Sequence, residues 1–130
     1  MFDQPLSGAV VYAKDLGRVS AFYAGVLGFR VAHSEAGYVV LESPAFQLVI
    51  VAIPEHIAET IDLAEPPVPR TDTPIKLVFP VASIEAARAA AASRGGELNP
   101  PEREWQFHGF RVCDGRDPEG NVVQFRERLR

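Results

Sequence analysis

The chain has 130 residues, of which 47% are hydrophobic and 23% charged, and its formal net charge is −4. This length and balance predict one ordinary folded domain with a core of its own, and exclude a disordered or low-complexity chain. The acidic excess, without any run of basic residues, argues against nucleic acid as a partner and mildly favours a cationic small ligand.

Residues 1–5 have neither the basic start nor the apolar centre of a signal peptide. The longest apolar run, residues 48–53, is too short to span a bilayer, so a cytoplasmic protein without a membrane partner is expected. Residues 7–13 lean towards a strand, with Gly8, Val10 and Tyr12 on one face and Ala9, Val11 and Ala13 on the other. Asp15 suits a helix N-cap. Leu16, Val19, Phe22, Tyr23, Val26 and Leu27 then recur as one helical face, and Gly28 ends it. Residues 29–33, 38–42 and 46–52 read as three strands, and the short turns between them favour antiparallel neighbours. The first half is therefore βαβββ.

A short helix is expected over residues 55–63, followed by the stiff connector Pro66-Pro67-Val68-Pro69. The second half repeats the order of the first. A strand over residues 75–81 puts Ile75, Leu77, Phe79 and Val81 on one face; Ser83 is the next N-cap; residues 84–93 form an alanine-rich helix, and Gly95-Gly96 stops it. Asp15 and Ser83 stand 68 positions apart, as do Gly8 and Lys76, so the two strand-helix pairs superpose in register. There follow a short strand near Glu97-Leu98, a loop through Asn99-Pro100-Pro101, a strand from about residue 105 to 113, and a closing strand over residues 122–127. The closing strand is entered through Asp117-Pro118-Glu119-Gly120-Asn121, a sequence with the chemistry of a turn. Its alternation gives Val123 and Phe125 one face and Val122, Gln124 and Arg126 the other. The expected fold class is α+β, a single domain with module 1 at about residues 5–53, a connector at 54–72 and module 2 at about 73–130.

Asp15-Leu16-Gly17-Arg18, Phe22-Tyr23, Leu27-Gly28-Phe29 and the Asp-Pro-x-Gly-Asn ending occur in an order and spacing that resembles the vicinal oxygen chelate superfamily. That group contains glyoxalase I, extradiol dioxygenases, and fosfomycin and bleomycin resistance proteins. The resemblance covers nearly the whole chain. It implies two βαβββ modules forming a curved mixed sheet or half-barrel, with helices outside and a ligand cavity on the concave side. It also implies a homodimer, with the modules pairing either within or between chains.

In metal-dependent members the ligands come from the first and last strands of each module. By resemblance, the first position falls on Gly8, which has no side chain, and its counterpart in the second module is Lys76, a cation. Gln124 stands where a metal-binding Glu is usual, and the fourth position falls between Gln47 and Val49, neither of which is His, Asp or Glu. No metal and no other cofactor is therefore expected at the usual centre. The alternative is a divalent metal held at a rearranged site built from His33, His56, His108, Glu42 or Glu127.

Tyr12, Lys76, Trp105, Phe107, Phe110 and Gln124 are the candidate ligand-binding residues: a point charge and an amide to orient a small organic molecule, and aromatic walls to hold it. Each has an alternative place in the core or at the rim, and Arg126 fits a cavity mouth, an interface or plain solvent. Cys113, the only cysteine, excludes an internal disulfide and has no base in its local sequence, so it reads as inert. The leading expectation is a metal-free binding protein of the bleomycin-resistance type. The alternatives are a metal-dependent lyase or isomerase, an extradiol-type dioxygenase, and a metal-free enzyme using Lys76 as base or Schiff-base amine.

Overall fold

A computed structural model describes residues 6–130. The reading of residues 1–5 as lacking a leader lies outside them. The first module is β1 (Gly8–Ala13), α1 (Leu16–Leu27), β2 (Arg30–Glu35), β3 (Tyr38–Glu42) and β4 (Gln47–Ala52), and its strands lie in the order β1-β4-β3-β2. β1 runs parallel to β4, while β4, β3 and β2 are antiparallel. After a short helix α2 (Glu55–Ala58), the second module is β5 (Leu77–Pro80), α3 (Ile84–Ala92), β6 (Glu97–Leu98), β7 (Trp105–Phe107), β8 (Phe110–Arg116) and β9 (Val122–Arg128). Its sheet runs β5-β9-β8-β6, with β7 paired to β8 and β5 parallel to β9. The fold is α+β: two modules of the βαβββ kind in two open mixed sheets, the second with one added strand, β7, in a hairpin with β8.

The repeat holds at the level of single hydrogen bonds. The Asp15 side chain accepts from the Arg18 amide, and the Ser83 side chain accepts from the Ala86 amide, which caps both helices in the same way. Gly28 closes α1 in the left-handed conformation, with φ of 70°, where a Cβ would cost energy.

Three expected elements differ from the structure. α2 stops at Ala58 instead of running to residue 63, because none of its residues is buried and a lone helical turn has no packing to extend it. β5 is shorter than residues 75–81; Ile75 lies outside it and is 73% exposed, so it does not share the buried face with Phe79. The strand expected from about residue 105 to 113 is two strands, because His108 and Gly109 have φ of 44° and 86°, the paired positive angles that turn a two-residue hairpin.

The core lies between the helices and one face of each sheet. Val19, Phe22, Tyr23 and Val26 of α1 pack with Leu48, Ile50, Val39 and Leu41 of the first sheet. Ala87 and Ala91 of α3 join Val123, Phe125 and Cys113 of the second. Phe79 joins the modules: its ring centroid lies 5.6 Å from Phe46, 5.9 Å from Phe29 and 6.2 Å from Tyr23. Each helix covers one face of its sheet, and the opposite face is left free of helices.

Candidate functional site

The register of β9 against β5 and β8 decides which side chains share the open face of the second sheet. Val78 pairs with Gln124, Asp114 with Gln124, Val112 with Arg126, Phe110 with Arg128, Trp105 with Val112, and Phe107 with Phe110. All of these alternate with Cys113, Val123 and Phe125 and so lie on the other face of the sheet, where Val112 and Gln124 are themselves covered by their neighbours. Five of the six expected ligand-binding residues, Lys76, Trp105, Phe107, Phe110 and Gln124, therefore meet on one surface. Tyr12 does not join them. It projects from the open face of the first sheet, 65% exposed, in line with Val10, Val49 and Val51.

A chain of polar contacts crosses this surface. Lys76, just before β5, donates from Nζ to Asp114 Oδ2 at 2.7 Å, and Gln124 Nε2 donates to Asp114 Oδ1 at 3.2 Å. Arg126 Nε donates to Gln124 Oε1 at 2.9 Å, and the Arg126 guanidinium lies over the Phe107 ring, 4.9 Å from its centroid. Arg128 stacks on Phe110 in the same way at 5.3 Å. Gln124 is thus a buried amide held on both sides, and Arg126 has become a stacked cation on the same surface. Asp114 and Arg128 were not anticipated. Folding the two strands about the Asp117–Asn121 turn sets Asp114 opposite Gln124, a signal present in the sequence and unused. Lys76 is ion-paired with a side chain 42% exposed, so it lacks the burial that a lysine base requires.

Register also resolves the fourth of the positions from which metal-dependent relatives draw ligands. Val78 pairs with Gln124 as Val10 pairs with Val49, so Val49 is the counterpart of Gln124. The four residues are then Gly8, Val49, Lys76 and Gln124, with no imidazole or carboxylate among them. At Gly8 even a methyl group does not fit: a Cβ there would lie 2.3 Å from the Gln47 carbonyl oxygen. This donor set does not suit a divalent ion. The residues considered for a rearranged site stay apart. His33 contacts Glu35 at the edge of the first sheet, and His56 is on the exposed α2. His108 is in the β7–β8 turn, Glu42 accepts from Arg30 and Gln47, and Glu127 accepts from the Ile84 amide. Among the described residues no three His, Cys, Asp or Glu side chains converge.

Two other features carry less chemistry. A cleft of about 1020 Å³ runs between Leu27, Phe29, Arg30, Glu42, Phe46 and β5, but its polar groups satisfy one another through Arg30, Glu42 and Gln47, and none of the six expected residues lines it. Cys113 is fully buried, and that burial pushes its thiol pKa up, with the Arg88 guanidinium only partly opposing the shift. The thiol is not an activated nucleophile.

The Asp117-Pro118-Glu119-Gly120-Asn121 turn, which carried much of the resemblance, is structural. Asp117 is fully buried; its Oδ1 accepts from the amides of Glu119 and Asn121, and its Oδ2 from the Asn121 side chain and the Tyr23 hydroxyl. The Glu119 carboxylate accepts from the amides of Lys14 and Asp15 at 2.8 and 2.7 Å, which anchors the start of α1.

Comparison with known proteins agrees with this architecture. No curated protein matches the sequence. A glyoxalase/bleomycin resistance protein from Albidiferax ferrireducens T118 is similar in structure, with TM-score 0.66 and 22% identity over 95% of this chain and 98% of that one. A glyoxalase/bleomycin resistance protein/dioxygenase family enzyme from Burkholderia phytofirmans PsJN has TM-score 0.66 and 22% identity, over 97% and 100% of the two chains. A bleomycin resistance determinant encoded on the transposon Tn5 has TM-score 0.62 and 18% identity, over 96% and 98%. Residues 8–125 match the family model described as a glyoxalase-like domain, and the chain belongs to that family, within the vicinal oxygen chelate superfamily.

Proposed function

We propose that this chain binds a small organic molecule against the open face of its second sheet, without a divalent metal, and does so as a homodimer. The observation that carries the reading is the residue set at the four positions where relatives hold an ion: Gly8, Val49, Lys76 and Gln124. One has no side chain, one is apolar, one is a cation paired to Asp114, and one is an amide whose oxygen already accepts from Arg126. Beside Lys76 and Gln124, on the second sheet, stand Trp105, Phe107 and Phe110, apolar walls with a few convergent polar groups, which is the usual composition of a small-molecule site. The homodimer is supported by the apolar surface on both open faces. Val10 is 54% exposed beside Tyr12, and Trp105 and Phe107 are 40% and 43% exposed on the other sheet.

Dialysis against zinc, nickel, manganese and iron(II), followed by metal analysis, tests the first part. Substoichiometric retention is expected, in the native chain and in Gln124→Glu alike. One tightly held metal per native chain would replace this reading with the lyase or dioxygenase one. Light scattering during gel filtration tests the second part, with a dimer expected.

A further inference from the structure

We infer that the molecule held on the second sheet is an organic anion with a flat apolar body, an aromatic carboxylate in chemical class. The inference rests on the reading that this face is the ligand site. The charges on the face carry it. Lys76, Arg126 and Arg128 supply three cations, and Asp114 is the one carboxylate that answers them, through Lys76 at 2.7 Å. Arg116 and Glu97, 4.0 Å apart at the far edge, cancel each other. Glu104 and Glu127 are engaged elsewhere, with Arg88 and Arg111 and with the Ile84 amide. In a chain whose formal net charge is −4, this face has an excess of positive charge.

The geometry of Arg126 adds direction. Its Nε is fixed by Gln124 and its plane by Phe107, while neither Nη nitrogen has a hydrogen-bond or ion-pair partner among the described residues. A guanidinium immobilised in this way presents a preorganised pair of donors, the geometry that a carboxylate accepts in bidentate fashion. Trp105 and Phe107, 40% and 43% exposed, stand on the same face and offer apolar surface to a ring carried on that carboxylate. Against the whole-chain charge, which favours a cation, the local field favours an anion, because screening confines electrostatic selection to groups within roughly 10 Å at ordinary salt.

The test uses three probes that share one ring: 2-naphthoate, the neutral 2-naphthamide and 2-naphthylmethylammonium. Binding to the full-length protein is measured by calorimetry, with the emission of Trp105, the only tryptophan, as the local reporter. Naphthoate is expected to bind roughly tenfold or more tightly than the amide, which is the scale of one charge-assisted hydrogen bond. That margin should shrink with added salt and disappear in Arg126→Gln. Arg128→Gln should reduce it in the same direction, and it serves as the second variant should Arg126→Gln not fold. Equal binding of all three probes, or preference for the ammonium, overturns the anion inference and leaves the binding site standing. If none of the three binds, the ligand site itself falls, and the inference with it.

Discussion

The Tyr23 hydroxyl donates to Asp117 Oδ2 at 2.7 Å in the protein interior, joining α1 of the first module to the turn that opens the last strand of the second. Two of the short motifs that mark the family, the Phe-Tyr pair and the Asp-Pro-x-Gly-Asn turn, are therefore two halves of one contact. Burial comes first in raising the Tyr23 pKa well above its ordinary value of 10.0, and the negative charge of Asp117 adds to it. Tyr23→Phe should leave the fold intact and cost about 1–3 kcal/mol, the scale of a buried polar group losing a partner. Urea denaturation followed by circular dichroism measures this directly.

The same pair gives a pH dependence of known sign. Because the folded state holds the phenol proton more tightly than the unfolded state does, the contribution of Tyr23 is complete below the ordinary tyrosine value. It is lost as pH rises above that value. The stability gap between the native protein and Tyr23→Phe should therefore be larger at about pH 8 than at about pH 11. A gap that is constant or grows would mean that the hydroxyl does not sit in this environment.

Glu119 holds the start of α1 through two amides, those of Lys14 and Asp15. Glu119→Ala removes both acceptors at a position only 6% exposed, and a loss of about 2–4 kcal/mol is expected. Glu119→Gln, which keeps the shape and loses the charge, should fall between the two. Thermal melts of the three proteins would show the order.

Phe79 is the apolar counterpart of these polar ties. It is 2% exposed and packs against three aromatic rings of the first module, so Phe79→Ala should cost about 3–5 kcal/mol by opening a cavity between the modules. Phe79→Leu fills part of the space and should cost less. If both variants were as stable as the native chain, the modules would not depend on this contact.

Gly8 tests the closure of the metal position. A Cβ placed there meets the Gln47 carbonyl at 2.3 Å, a backbone atom that cannot swing away, so Gly8→Ala should destabilise the pairing of β1 with β4 by about 1–3 kcal/mol. Gly8→His should be at least as costly and should still retain no metal on dialysis. Hydrogen exchange of β1 amides would report the local loosening.

Cys113 is expected to ignore thiol reagents in the folded protein at about pH 8 and to react fully once the chain is unfolded, since it is buried and its thiolate is disfavoured. Rapid modification of the native state would place it in a different environment.

Much of the architecture was legible in the residues because its determinants are local. Apolar spacing in α1, the caps Asp15 and Ser83, and the alternation Val123, Phe125 against Gln124, Arg126 each act within a turn or two of chain, so the βαβββ order and its repetition could be read directly. The misread elements were those in which a local pattern had no tertiary support. The helix expected over residues 55–63 stops at Ala58, its one turn burying no residue, and His108-Gly109 took positive φ at a position that reads as continuous strand. What only the tertiary structure decided is which side chains meet. Val49 became the partner position of Gln124, Tyr12 parted from the other five candidates, and Arg126 came to lie between Gln124 and Phe107, because strand register sets all three and a shift of one residue turns a side chain to the opposite face.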